Sequence, residues 1–195
     1  MKSSLLQIIY ILILTLFFLS TGCAKTHRIN INPSLPIHNS NIGNGLPVSI
    51  KVIDNRSSNI VSKWQDGLKM GKFTIISQGD LKEIFTTKVQ HGLSKLGFSP
   101  KKSIFKTKRT LKVEITNIRS LYQLSIQKMN IRVKTDLKAI CQNQNKRISK
   151  GFTSKKMRSD ITPATFPNEK LLNACLSEVL GKIFTDAEIL ACLAR

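Results

Sequence analysis

The chain has 195 residues, 41 % of them hydrophobic, enough to build a core and too apolar for wholesale disorder. Lys and Arg number 31 against 11 Asp and Glu, a formal charge of +20. Such an excess creates a positive field that draws anionic surfaces and polymers, without choosing among lipid headgroups, acidic glycans and nucleic acid.

Residues 1–22 read as an export signal. Lys2 supplies the positive start, residues 5–19 form an apolar run broken only by Gln7, Tyr10 and Thr15, and the small residues Ser20, Thr21 and Gly22 follow. As a helix that run is about 22 Å long, short of the roughly 30 Å hydrocarbon layer, although a retained span is the competing reading. Leu19-Ser20-Thr21-Gly22-Cys23 resembles the lipobox of bacterial lipoproteins, with Ser20 where leucine is usual. The resemblance implies cleavage before Cys23, a diacylglyceryl group on its thiol and acylation of the new amine, a membrane anchor made of lipid. Ala24 stands where an aspartate would favour inner-membrane retention, which implies the outer membrane, with the domain facing the periplasm.

Residues 23–47 read as the lipidated N-terminus and a flexible tether, rich in Asn, Ser, Gly and Pro, with at most a short edge strand at 29–31. Residues 48–195 are then one folded domain. Val48, Ile50 and Val52 alternate as a strand that ends in the turn-prone stretch 54–59, and residues 73–76 suggest another. Asp80 and Glu83 have capping-box spacing, and Leu81, Ile84, Phe85, Val89, Leu93 and Leu96 share one helical face before Gly97 stops it. Leu111, Val113 and Ile115 alternate as a strand, and a longer one runs from Met129 to Cys141. Residues 142–145 form its turn and 147–153 the returning partner. Pro163 and Pro167 close the sheet region, Asn168 caps a helix to about residue 183, and Thr185 with Glu188 opens a short last helix. This order predicts an α+β domain, a mostly antiparallel sheet with helices packed on one face.

Two groups of residues are candidates for binding. Asp54 and Arg56, two apart at a strand end, suit a polar ligand or partner, or else form an ordinary turn ion pair. Arg132, Lys134 and Lys138 share the polar side of the long strand and make one sheet face basic. His27, His38 and His91 have no metal-site spacing, so neither a metal nor a cofactor is expected. Cys141, Cys175 and Cys192 lie on apolar faces, where buried free thiols are expected; one disulfide is the alternative, and the bend between the last helices can bring Cys175 to Cys192. There is no Gly-x-Ser-x-Gly elbow and no Gly-rich phosphate loop, and Asp66 and Asp80 do not make an acid–base pair, so no enzyme is expected. Trp64 and two tyrosines offer little for base stacking, and an exported domain is not expected to meet nucleic acid.

Taken in order, "GCAK" (22–25), "VSIKVIDNRSS" (48–58), "DLKEIFTTKVQHGLSKLGF" (80–98), "IRVKTDLKAICQNQNKRISKGF" (131–152) and the C-terminal helix pair resemble the YajG-type lipoproteins of Gram-negative bacteria. The resemblance covers nearly the whole chain. It implies the fold and a lipid-held mature form, and it supplies no catalytic residue. The expectation is a membrane-anchored, non-catalytic binding or envelope-assembly module. Its partner would be an envelope protein or anionic material such as lipopolysaccharide or peptidoglycan; a hydrolase acting on the envelope is the alternative.

Overall fold

A computed structural model of the chain describes residues 25–65, 72–102, 107–124, 129–144, 146–160 and 169–195. The signal segment, Cys23, Asp66, Asn145, Pro163, Pro167 and the cap expected at Asn168 lie outside them. Among the described residues eight strands appear in chain order: β1 (Lys25–Ile29), β2 (Pro47–Asp54), β3 (Ile60–Gln65), β4 (Lys72–Ser77), β5 (Ser99–Lys102), β6 (Thr110–Leu124), β7 (Met129–Asn143) and β8 (Lys146–Asp160). Helix α1 (Leu81–Lys95) lies between β4 and β5, while α2 (Glu169–Thr185) and α3 (Ala187–Ala194) follow β8.

Alternation decides which side of the sheet is inside. Along β7, Ile131, Val133, Thr135, Leu137, Ala139 and Cys141 are buried while Arg132, Lys134 and Lys138 are exposed. The buried side meets α2 and α3, and β2 and β5 meet α1, in one continuous core. α1 forms as its pattern predicts. Asp80 accepts the Lys82 amide at 3.0 Å, Leu81, Phe85, Val89 and Leu93 are buried, and Gly97 takes φ +81°, where a side chain would be strained. Gly92 lets α1 approach α2 closely, because a Cβ there would come within 2.5 Å of the Phe184 ring.

The sheet departs from the mostly antiparallel expectation. It is mixed, and four of its seven pairings are parallel: β1–β4, β2–β5, β2–β6 and β3–β6. The long ladders β6–β7 and β7–β8 are antiparallel, as is β3–β4. In β2–β5, β2–β6 and β3–β6 the connection between the parallel strands passes through α1, and strand patterns carry no trace of a distant partner.

Residues 25–47 also differ from the tether reading. β1 pairs with β4 from Lys25 to Ile29, and Ile31, Leu35 and Ile37 are buried. The segment is hydrogen-bonded to both long helices. Asn30 donates its amide to Glu169 Oε2 (2.7 Å), Asn32 donates its amide to Asn173 Oδ1 (2.8 Å), and Lys88 Nζ donates to Asn32 Oδ1 (2.6 Å). The amides of Ser40, Gly43 and Gly45 then donate to the carbonyls of Lys95, Leu96 and Gly97, supplying the partners that a helix end lacks. Its Asn, Gly and Pro content serves a cap and a groove lining.

Two further expectations are corrected at the C-terminus. The last helix is capped by Asp186, whose carboxylate accepts the Glu188 and Ile189 amides, while the Thr185 hydroxyl turns back to the Gly181 carbonyl. The disulfide joins Cys141 to Cys192 and leaves Cys175 as a buried free thiol. α3 lies across β7, which brings Cys192 over Cys141; Cys175 points instead toward Thr135 Oγ1, 3.4 Å away.

Candidate functional site

β6 is the hub of the sheet, and its free side forks. It pairs with β2 as far as Ile115, where the Asn55 amide donates to the Ile115 carbonyl (2.9 Å), and it meets β3 at Ser120, where Ser62 Oγ donates to the Ser120 carbonyl (3.0 Å). A bulge between Ile115 and Asn117 re-aims the strand between those two points. The fork opens a cleft of about 510 Å³, lined among others by Arg56, Ser57, Ser58, Lys63, Asn117 and Arg119.

Arg56 is the buried feature of this cleft. Its side chain is only 7 % exposed, and its Nε and Nη2 donate to the two oxygens of Asp54, each at 2.8 Å. Nη1 is buried and has no hydrogen-bond partner among the described residues. The two residues singled out at the strand end are thus committed to each other, and beside the hydroxyls, amides and cations of the cleft there remains one guanidinium nitrogen not used in that pair.

The outer face of β6, β7 and β8 can be read row by row, because residues directly opposite one another share a face. Leu121, Arg132 and Met157 make one row, and Arg119, Lys134 and Lys155 the next. Asn117, Asp136 and Thr153 follow, then Glu114, Lys138 and Gly151. The first two rows line a second cleft of about 410 Å³, which Asn117, Arg119 and Leu121 share with the fork. Leu121 is 43 % exposed and Met157 64 %.

Charge on this face is lopsided. Asp136 accepts from Thr153 Oγ1 (2.7 Å), Asn117 Nδ2 (2.9 Å) and Lys134 Nζ (2.9 Å). Partial burial opposes its ionisation, but those three donors outweigh it and hold its pKa below the usual carboxylate value. Arg119, Arg132 and Lys155 have no counter-charge among the described residues. Of the three cations expected on this face, Arg132 and Lys134 adjoin, whereas Lys138 lies beyond Asp136 and opposite Glu114. Glu114 itself is paired with Lys112, whose hydrogen bond lowers its pKa.

Arg119, Leu121, Lys155 and Met157 were not legible as site residues. The bulge beside Thr116 shifts the phase of β6, so Ile118 and Ser120 point inward where odd positions had done so before. The signal that remained was the spacing Arg119-x-Leu121 and Lys155-x-Met157 within strands extended past residues 116 and 153. Among the described residues no group of three or more His, Cys, Asp or Glu is disposed to hold a metal ion, and no helix is long and apolar enough to cross a membrane.

Residues 33–194 match the model of a family described as uncharacterized lipoprotein. The chain belongs to that family. The match begins inside the segment that packs between α1 and α2 and takes in its residues 33–47. No curated protein matches the chain in sequence. Among solved structures, protein XCC0632 from Xanthomonas campestris is similar in fold, with a TM-score of 0.58 at 12 % identity over 84 % of this chain and 95 % of that one. A Helicobacter pylori protein described as a homolog of neuraminyllactose-binding hemagglutinin has a TM-score of 0.51 at 14 % identity, over 85 % of this chain and 97 % of that one. A lipoprotein family goes with a membrane-anchored place in the cell envelope.

Proposed function

We propose that this chain is a YajG-type lipoprotein, acylated on Cys23 and held at the outer membrane. In this reading it works without catalysis, binding anionic envelope material along the outer face of β6–β8. The observation that carries the reading is the set Arg119, Arg132 and Lys155, three cations without counter-charge among the described residues, around a cleft flanked by exposed Leu121 and Met157. Cations so placed attract phosphate or carboxylate over roughly a Debye length, about 8–10 Å near physiological salt. Cosedimentation with anionic vesicles and with purified peptidoglycan tests it. Binding should fall steeply between 50 and 500 mM salt, and should be lost in an Arg119→Glu, Arg132→Glu, Lys155→Glu variant. Binding indifferent to both changes would refute the reading.

A second reading rests on the unpaired Nη1 of Arg56, which favours a small ligand with an acceptor oxygen in the fork. The cleft's lining offers donors and no carboxylate, imidazole or thiol among the described residues, which favours holding a ligand over hydrolysing one. Neuraminyllactose, the anionic sugar in the description of the Helicobacter protein, is a suitable first probe. Shifts of the Asn117 and Ser57 amides in an NMR titration would support this reading, and unmoved amides at saturating probe would end it.

A further inference from the structure

Strand registers fix where the chain enters the fold. Lys25 lies opposite Phe73 on β4, and Phe73 lies opposite Trp64 on β3. β3 runs parallel to β6 with Ser62 opposite Ser120, so two residues further on Trp64 stands level with Tyr122. Tyr122 is in register with Ile131, and Ile131 with Arg158. The first residue of β1 is therefore level with Tyr122, Ile131 and Arg158, one residue beyond the row Leu121, Arg132 and Met157. The N-terminal entry and the exposed amphipathic row occupy the same end of the sheet.

Distances along and across the sheet are short. Three strand spacings separate β1 from β6 and two more reach β8, about 14 and 24 Å at roughly 4.8 Å each. Cys23 precedes Lys25 by two residues, at most about 7 Å of chain. The segment that would have served as a spacer is bound to α1 and α2. Lipid on Cys23 would therefore bring this end of the sheet to the headgroups, with no slack to hold it away.

We propose that the partner of the cationic face is the anchoring bilayer itself. An anionic phospholipid leaflet covers Leu121, Arg132 and Met157, with Arg119, Lys134 and Lys155 one row behind to meet the phosphates. Charge complementarity and the side-chain types agree: exposed Leu and Met enter the interface while flanking cations stay among headgroups. The far end of the sheet, at Lys101 and Thr110, stands about 40 Å from the membrane level. The proposal rests on acylation at Cys23.

The test uses the full mature protein, purified from membranes and reconstituted in vesicles of phosphatidylglycerol and phosphatidylcholine containing a nitroxide-headgroup lipid. Met157→Cys and Lys101→Cys, both at exposed positions, carry the same fluorophore, and intact mass reports acyl groups in each preparation. Quenching at position 157 should exceed that at 101 at least threefold, and adding Arg119→Glu, Arg132→Glu and Lys155→Glu should remove most of the difference. Equal quenching at the two positions in acylated protein would overturn the bilayer as partner and leave the anchor standing. Energy transfer between labels at 157 on separate molecules, without quenching, would give the face to a second copy and likewise overturn it. Protein without acyl mass at residue 23 would remove the anchor and this proposal together.

Discussion

The Cys141–Cys192 bond permits a quantitative test. It closes a loop of 51 residues containing β8 and all of α2. Removing the crosslink frees the unfolded chain, and the loop-entropy relation for that separation gives about 4 kcal/mol at 25 °C. Without the bond α3 keeps its own attachments: the Asp186 cap, the Lys150–Asp186 ion pair at 3.0 Å, and buried Ile189 and Leu193. The native fold should therefore survive in a Cys141→Ala, Cys192→Ala variant while its stability falls. Guanidinium unfolding of both proteins measures the change. We expect a loss of about 3–4 kcal/mol, a drop in Tm of roughly 6–16 °C, and a steeper denaturant slope as the unfolded state expands. A difference under about 1 kcal/mol, with the bond verified by peptide mapping of the parent, would refute the chain-entropy account. Mapping that finds Cys175 in the bond would refute the placement of α3 over β7.

Other consequences can be measured in the same way. Ile31→Ala should cost about 2–4 kcal/mol in thermal unfolding, as for a core residue, whereas a tether position would cost nothing. Gly92→Ala should destabilise by about 1–2 kcal/mol despite alanine's better helix propensity, because its Cβ meets the Phe184 ring; adding Phe184→Leu should recover part of the loss. Glu178 accepts from Lys156 (2.8 Å) and Lys182 (2.9 Å), and these hydrogen bonds lower its pKa to about 2. Its folded pKa lies below its unfolded value, so its contribution is complete above about pH 4.5 and fades as pH falls toward 2. Stability measured across that window should decline less steeply in Glu178→Gln, and equal slopes would count against the pairing.

Local signals were readable where local physics makes the decision. The run from Asp80 to Gly97 carries its own cap, apolar face and stop, and α1 follows it nearly to the residue. The alternation from Met129 to Cys141 and the turn after it gave β7 and the start of β8, because hairpin pairing is settled by neighbours. Parallel pairing of β2 with β6 depends on residues about sixty positions apart, and nothing in either strand names the other. Asp54 and Arg56 were recognisable as a polar pair, but only the fold shows their charges spent on each other and Nη1 left over. The stretch 30–47 has a linker's composition because its backbone is satisfied by Glu169 and Asn173, some 140 residues away, and by the end of α1. Arg119 escaped notice because one extra residue at the bulge inverts the in–out order of β6, and Lys155 because β8 runs on past the 147–153 expected for it.

β1 runs beside β4 in the same direction, and Lys25 is the point at which tension from upstream would arrive. A pull there acts along the strand axis, so the five register pairs from Lys25 to Ile29 are sheared together instead of being peeled apart one after another. Behind them, Asn30 and Asn32 are hooked onto α2 through Glu169 and Asn173. The N-terminal attachment is thus built to transmit mechanical force into the body of the domain, and it should yield abruptly, at a high threshold, under a single-molecule pull.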